Sequence, residues 1–288
     1  MKKSNLNIKR VVICFFLLVI LSVGTIFGYH AFFNNQNPTP IEDTKKEDPK
    51  TNAPKPNAFS HLPYYQEELL SRYQGYQTST NNLSTEDIVT HVNMNLDLGF
   101  YQEDPTWINN ADALDVLVNK FYKLPDSFEP INLILVNLDR EQYLRQEAAE
   151  AFFALRDACE AEGFSLSAFS GYRSISKQES NYNNMIASFG EEHTNRYVAR
   201  PGQSEHNTGL AVDVSIDGIY YEDIESSPYY PWFREQLVNY GFILRYPEGK
   251  EDITGFGYES WHLRYLGEDL ARKVVDSGLT YDEYVARQ

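Results

Sequence analysis

Ser204-Glu205-His206-Asn207-Thr208-Gly209-Leu210-Ala211-Val212-Asp213 leads from a turn into an apolar run that carries a carboxylate. Leu210 to Val214 reads as a strand. Asp213 is flanked there by Ala211, Val212 and Val214, a setting in which an unpaired carboxylate is costly and a metal ion would compensate it. His206 and Asp213 stand seven positions apart. Alternate residues of a strand share a face, so a loop near Asn207 to Gly209 must bring His206 back beside Asp213, and Gly209 permits such a bend. A second segment, Glu259-Ser260-Trp261-His262, adds an imidazole and, three residues before it, another glutamate. Two histidines and one carboxylate match the ligand count of a catalytic zinc site, which keeps its fourth position open, whereas a structural zinc is closed by four ligands and usually leans on cysteine. The chain has only two cysteines. The helical HExxH zinc motif does not occur.

Outward from these segments the pattern is mixed. Phe164 to Ser170 alternates as a strand and runs into Gly171-Tyr172-Arg173-Ser174, so that Arg173 projects from a strand end. Before it, Tyr143, Leu144, Ala148, Ala151, Phe152, Leu155 and Cys159 recur at helical spacing within Arg140 to Glu162, and Gly163 stands as a stop. Pro201-Gly202 is a turn signal. Phe233 to Tyr240 reads as a helix, Phe242 to Arg245 as a third strand and His262 to Tyr265 as a fourth. Nearer the N-terminus, Gln66 to Tyr73 and Leu83 to Val92 have short helical patterns, and Ser84 resembles a helix start. Ala111 to Phe121 fits a strand or a short helix. Strands and helices do not alternate regularly, so an α+β domain with a small, mainly antiparallel sheet flanked by helices is expected. Residues 140–288 are expected to form its core and 58–139 an N-terminal layer.

The chain has 288 residues, 42% of them hydrophobic and 14% aromatic, enough for a packed core. Lys2, Lys3, Lys9 and Arg10 are the only charges in the first 33 residues; beyond them 21 bases face 41 acids. Such acidity repels phosphate backbones, so nucleic acid is not expected as a partner. Val11 to Gly28 is free of charge and close to the roughly 20 residues that span a bilayer. It exceeds the 7 to 15 residues of a signal-peptide core and lacks a small-x-small exit, which favours an uncleaved anchor over a cleaved signal. With the basic cluster before the span, the positive-inside rule puts the C-terminal bulk outside the cell membrane. Residues 34–57, rich in Pro, Asn, Lys and Thr, read as an extended tether. Cys14 lies in the apolar run, which leaves Cys159 without a partner for a bridge.

The blocks Ser170-Gly171-Tyr172-Arg173-Ser174 with Gln178, then Ser204-x-His206-x-x-Gly209-x-Ala211-x-Asp213, then Glu259-x-Trp261-His262 resemble, in that order, the VanY-type D-alanyl-D-alanine carboxypeptidases. Those belong with VanX dipeptidases and hedgehog-like zinc peptidases in one superfamily. The resemblance covers roughly residues 90 to 270. It implies the hedgehog/D,D-peptidase-like fold, one Zn²⁺ per chain on His206, Asp213 and His262, and Glu259 as general base. It also implies that Arg173 stabilises developing oxyanion charge and that Gln178, Ser204 and Tyr172 shape the substrate site. The implied substrates are peptidoglycan stem peptides, from which the terminal D-alanine is removed.

Two alternatives stay open at this level: an L,D-carboxypeptidase acting on tetrapeptide stems, and a wall-binding module that has kept the fold without turnover. Intact Glu259 argues against the second. His30, His61, His91 and His193 have no partner spacing and are expected on the surface or in linkers. Tyr220-Tyr221 and Tyr229-Tyr230-Pro231-Trp232 are expected to pack structurally rather than line a cleft.

Overall fold

The computed structural model describes residues 57–288. The expected membrane span and all but the last residue of the expected tether lie outside the described residues. Among the described residues no helix is long and apolar enough to cross a membrane.

The described residues open with two α-helices, α1 (Leu70–Ser79) and α2 (Thr85–Asn93). Ser84 caps α2, its hydroxyl accepting the Asp87 N–H, one of the orphan donors of a helix start. Phe59, Tyr73, Ile88, Val89 and Val92 make a small core between them. Next come a two-residue parallel pair, β1 (Thr106–Trp107) and β2 (Tyr122–Lys123), and an antiparallel hairpin, β3 (Leu133–Asn137) and β4 (Gln142–Arg145). Ala111 to Phe121 is neither strand nor helix but a loop, pinned by the buried side chains of Val116 and Val118.

Helix α3 (Gln146–Ala161) follows β4 directly. The helix expected from Arg140 therefore starts six residues later. Tyr143 and Leu144 fit its spacing, but Leu144 pairs with Ile134 across the hairpin, a contact invisible to local periodicity. Ala148, Phe152, Leu155 and Cys159 form the buried stripe of α3.

Strand β5 (Leu166–Ser170) leads into α4 (Ile175–Phe189) and α5 (Glu191–Tyr197), then β6 (Ala211–Ile216), β7 (Ile219–Tyr220), α6 (Tyr230–Gln236) and β8 (Phe242–Leu244). The chain ends with α7 (Glu251–Thr254), β9 (His262–Tyr265), α8 (Glu268–Ser277) and α9 (Tyr281–Ala286). The helix expected from Phe233 starts earlier, as α6, and tightens to a 3₁₀ turn over Leu237–Tyr240. The main sheet is antiparallel throughout, in the order β5-β6-β9-β8, with β7 also on β6. This is the expected α+β fold, with a small antiparallel sheet and flanking helices.

Val212, Val214 and Leu263 join Phe152, Leu155 and Cys159 in the main core. Alternation then turns Asp213 and His262 to the other face. Sheet geometry thus commits one face to packing and the other to chemistry. The Cys159 thiol is fully buried, and burial pushes it up to about 12. Thiolate is the reactive species, so alkylation at pH 8 is expected to leave native Cys159 unmodified and to label it only after denaturation, as intact-mass spectrometry would report.

Candidate active site

Asp213 and His262 are direct cross-strand partners in the β6–β9 ladder. Residues paired in this way on one face have Cβ atoms about 5 Å apart, and here His262 Nδ1 lies 3.0 Å from Asp213 Oδ1. His206 arrives from a 3₁₀ turn, Glu205–Thr208, that closes on Gly209 in the left-handed conformation (φ 71°). A Cβ at Gly209 would also meet Arg145 Cγ at 3.0 Å and Leu133 Cδ2 at 3.3 Å. Strain and crowding act together there, so Gly209→Ala is expected to destabilise by about 1–2 kcal/mol. That corresponds to a Tm lower by roughly 2–8 °C, read by differential scanning calorimetry; an unchanged Tm would contradict the turn geometry.

His206 Nδ1 is 2.8 Å from the Gly171 carbonyl oxygen. An N–H donated there leaves Nε2 with its lone pair inward, 3.3 Å from Asp213 Oδ2. Gly171 itself lies against β4, where a Cβ would sit 2.5 Å from the Tyr143 carbonyl oxygen. The turn foreseen between His206 and Asp213 is thus present, and one ligand atom from each of His206, Asp213 and His262 lies within 4.8 Å of the others. All three side chains are buried.

Burial pushes the Asp213 carboxyl up, but the two imidazoles outweigh it and hold it well below the usual carboxylate range. Burial also lowers His206, with Arg173 adding to the effect. His262 is pushed up to about 10 because Asp213 and Glu205 overcome its desolvation.

Glu259 stands at the edge of this triad, with Oε2 3.6 Å from His262 Nδ1 and a side chain only 14% exposed. Burial pushes its carboxyl up to about 8, although His262 pulls the other way. A dication held by the triad would draw it back toward the carboxylate range.

Arg173 lies three residues past the end of β5. Its guanidinium donates to Gln178 Oε1 (2.7 Å) and Ser170 Oγ (3.0 Å), and its backbone N–H donates to the His206 carbonyl (3.0 Å). Gln178 in turn donates to the Ala199 carbonyl at 2.7 Å, which orients the fork.

Arg173, Gln178, Ser204, Glu259 and the triad all line one cavity of about 660 Å³. Tyr172 does not line it. Neighbouring residues of an extended run face opposite ways, so with Arg173 turned inward, Tyr172 faces away; its N–H donates to the Tyr143 carbonyl, and Glu129 is the charge that acts on its phenol. His193, expected on the surface without a role, is exposed but lines the cavity. Of the aromatic runs, Tyr230 is buried in the core as expected, whereas Tyr221 lines the cavity beside Trp261, their rings 5.4 Å apart. His61 is exposed, and His91 is half-buried against the Tyr76 hydroxyl.

Sequence reasoning missed the layer behind His262. Its Nε2 faces Glu205 Oε2 at 3.3 Å. Glu205 is fully buried and accepts from Arg245 Nε (2.7 Å) and Arg264 Nη1 (2.9 Å). Arg245 also binds Asp282 of α9, and Arg264 donates to the Leu114 and Val116 carbonyls at 2.8 and 2.7 Å. The loop 111–121 and the C-terminal helix are therefore tied to a triad imidazole through buried ion pairs. The signal in the sequence was an arginine at the end of each of two apolar stretches, Phe242-Ile243-Leu244-Arg245 and Leu263-Arg264, which calls for a buried acid.

Zinc bonds of about 2.0–2.1 Å place ligand atoms of a tetrahedral site about 3.3 Å apart. His206 Nε2 lies 3.3 Å from Asp213 Oδ2 and His262 Nδ1 3.0 Å from Asp213 Oδ1, each close to that spacing, and the donor set of two imidazoles and one carboxylate suits the ion. A buried N/N/O triad with a flanking acid and a guanidinium, set on an α+β sheet, is the arrangement of a metallopeptidase centre.

The pattern of the VanY D-alanyl-D-alanine carboxypeptidases matches residues 141–268. A Bacillus subtilis (strain 168) protein provisionally named carboxypeptidase YodJ is 41% identical over 187 residues, 62% of this chain and 68% of that protein. The solved LdcB LD-carboxypeptidase superposes with a TM-score of 0.60 at 38% identity, covering 65% of this chain and 93% of its own. A mutant of the vancomycin-resistance D,D-pentapeptidase VanY from the VanB-type cassette, solved with Zn(II), gives 0.53 at 33% identity, covering 59% and 98%. The chain belongs to the VanY family of D-alanyl-D-alanine carboxypeptidases and is a peptidase hydrolase.

Proposed function

We propose that this chain removes the terminal D-alanine from peptidoglycan stem peptides, with one Zn²⁺ per chain held by His206, Asp213 and His262. The observation that carries the reading is the convergence of that triad with Glu259 and Arg173 in a single cavity. When bound, the ion supplies Lewis-acid polarisation of the scissile carbonyl and acidifies water at its open position. Glu259 takes the proton of the attacking water and delivers it to the leaving amine, so that the C–N bond breaks and D-alanine departs with its amino group intact. The Arg173 guanidinium, held by Gln178 and Ser170, faces the negative charge that develops on the carbonyl oxygen. Ser204 borders the substrate in the same cavity. Glu205 fixes the tautomer and orientation of His262 from behind.

An L,D-specificity, with release from the tetrapeptide instead, is supported by the similarity to the LdcB LD-carboxypeptidase. The reading also includes an uncleaved N-terminal anchor over residues 11–28, with the catalytic domain held by its tether on the extracytoplasmic side. A wall substrate suits that arrangement.

The test is mass spectrometry of D-alanine release from pentapeptide and tetrapeptide stems by the fragment from residue 58, with and without a chelator. Chelator-sensitive release from the pentapeptide alone is expected. Release from the tetrapeptide moves the specificity to L,D, and release from neither overturns the carboxypeptidase reading.

A further inference from the structure

The catalytic cavity is longer than a terminal dipeptide needs, and its outer end is aromatic. Helix α4 forms one wall. At its near end Gln178 is bonded to Arg173; Asn181, Asn184 and Met185 carry the lining outward along the helix. Neither asparagine carboxamide is bonded to another group among the described residues, which leaves both free for a ligand's backbone. The helix ends at Phe189. That ring is 59% exposed and lies 5.2 Å from His193, which lies 5.0 Å from Tyr197, itself 45% exposed. His193 and Tyr197 line the cavity. The three rings form a contiguous exposed strip continuous with the catalytic cleft, where a scattered exposed aromatic would carry no meaning.

Lengths identify the occupant. From Gln178 to Phe189 the helix rises about 16 Å. If the last bond of a pentapeptide is cut beside Arg173, the four residues on its acyl side, extended, cover about 13–14 Å. The next covalent group of a wall stem is the amino sugar that bears it. A pyranose offers a flat C–H face, which ring faces accept through dispersion and burial of apolar surface, while its hydroxyls stay in water.

Resting on the carboxypeptidase reading above, we propose that Phe189, His193 and Tyr197 form a subsite for the amino sugar, so that the preferred substrate is the glycan-linked stem and not the free peptide. The test compares N-acetylmuramyl-pentapeptide with the same free pentapeptide in wild type, Phe189→Ala and Phe189→Trp. Wild type is expected to show a KM about tenfold lower for the sugar-linked substrate, the scale of one good aromatic contact. Phe189→Ala should raise that KM to the free-peptide value while leaving kcat and free-peptide turnover unchanged, and Phe189→Trp should retain the preference.

Calorimetric binding of N-acetylmuramyl-tetrapeptide against free tetrapeptide, in wild type and Phe189→Ala, reads the subsite without turnover. A chain that cuts neither pentapeptide but binds the sugar-linked peptide more tightly through Phe189 would lose the carboxypeptidase reading and keep the subsite. Equal KM and equal Kd for the two ligands in wild type overturn the proposal. So does a preference that survives Phe189→Ala or that follows the side chain of the third stem residue instead of the sugar.

Discussion

Glu259→Gln is expected to lower kcat by about 10²–10⁴-fold while leaving zinc affinity within a few-fold of wild type. The amide keeps the size and reach of the side chain but cannot accept the water's proton. Glu259 stands 3.6 Å from the nearest triad nitrogen, outside the compact ligand set formed by His206, Asp213 and His262, so removing its charge should spare the ion's first contacts. Competition against a chromophoric chelator measures zinc retention, and D-alanine release measures turnover. Wild-type turnover in the variant would sink the role of Glu259. A joint loss of zinc and activity would instead make it a ligand.

The second large effect is expected at a residue that touches neither water nor substrate. Glu205→Gln leaves Arg245 with Asp282 as its remaining acid and Arg264 with no acid, only the carbonyls of Leu114, Val116 and Tyr265. Removing one partner of a buried ion pair typically costs about 3–5 kcal/mol, which for a domain of this size lowers Tm by roughly 6–20 °C. His262 also loses the carboxylate behind its Nε2, and loss of such a partner reduces metal affinity by about 10–100-fold. Calorimetry and chelator competition give the two readouts.

Burial alone would push Glu205 up, but Arg245, Arg264 and His262 hold it well below the usual carboxylate range. A depressed folded pKa contributes stability that is complete above the unfolded value near 4.3 and is lost as pH falls through the folded one. The gap in Tm between wild type and Glu205→Gln should therefore be full at pH 6–7 and narrow below about pH 4. A gap independent of pH would mean that shape, and not charge, holds this layer together.

The triad was legible because its geometry is nearly local. An apolar strand that must contain a carboxylate, a turn with a glycine and a second imidazole in a short segment leave few arrangements, and the β6–β9 pairing realises one of them. Arg173 was legible as the continuation of a strand into a loop. Tyr172 lies outside the cavity that Arg173 lines, because adjacency in sequence does not carry across the two faces of an extended chain. The start of α3 was misjudged because a residue's helical spacing says nothing of a hairpin partner. Helix α4 went unforeseen: its stretch is mostly polar, with Gln178 and Tyr182 its only buried residues, so its apolar stripe is too thin to read.

What the amino-acid order determined by itself was arrangement at short range: which two imidazoles and which carboxylate could come together as a candidate ligand set, and that a small antiparallel α+β sheet presents them. What only the tertiary structure decided was everything that depends on distant partners. Glu205 meets Arg245 and Arg264 across 40 and 59 residues, and the strip from Phe189 to Tyr197 joins the cleft only because α4 and α5 are laid along it. Short-range preferences are written in neighbouring residues, whereas burial of a charge or the direction of a groove arises only when separate elements close on one another.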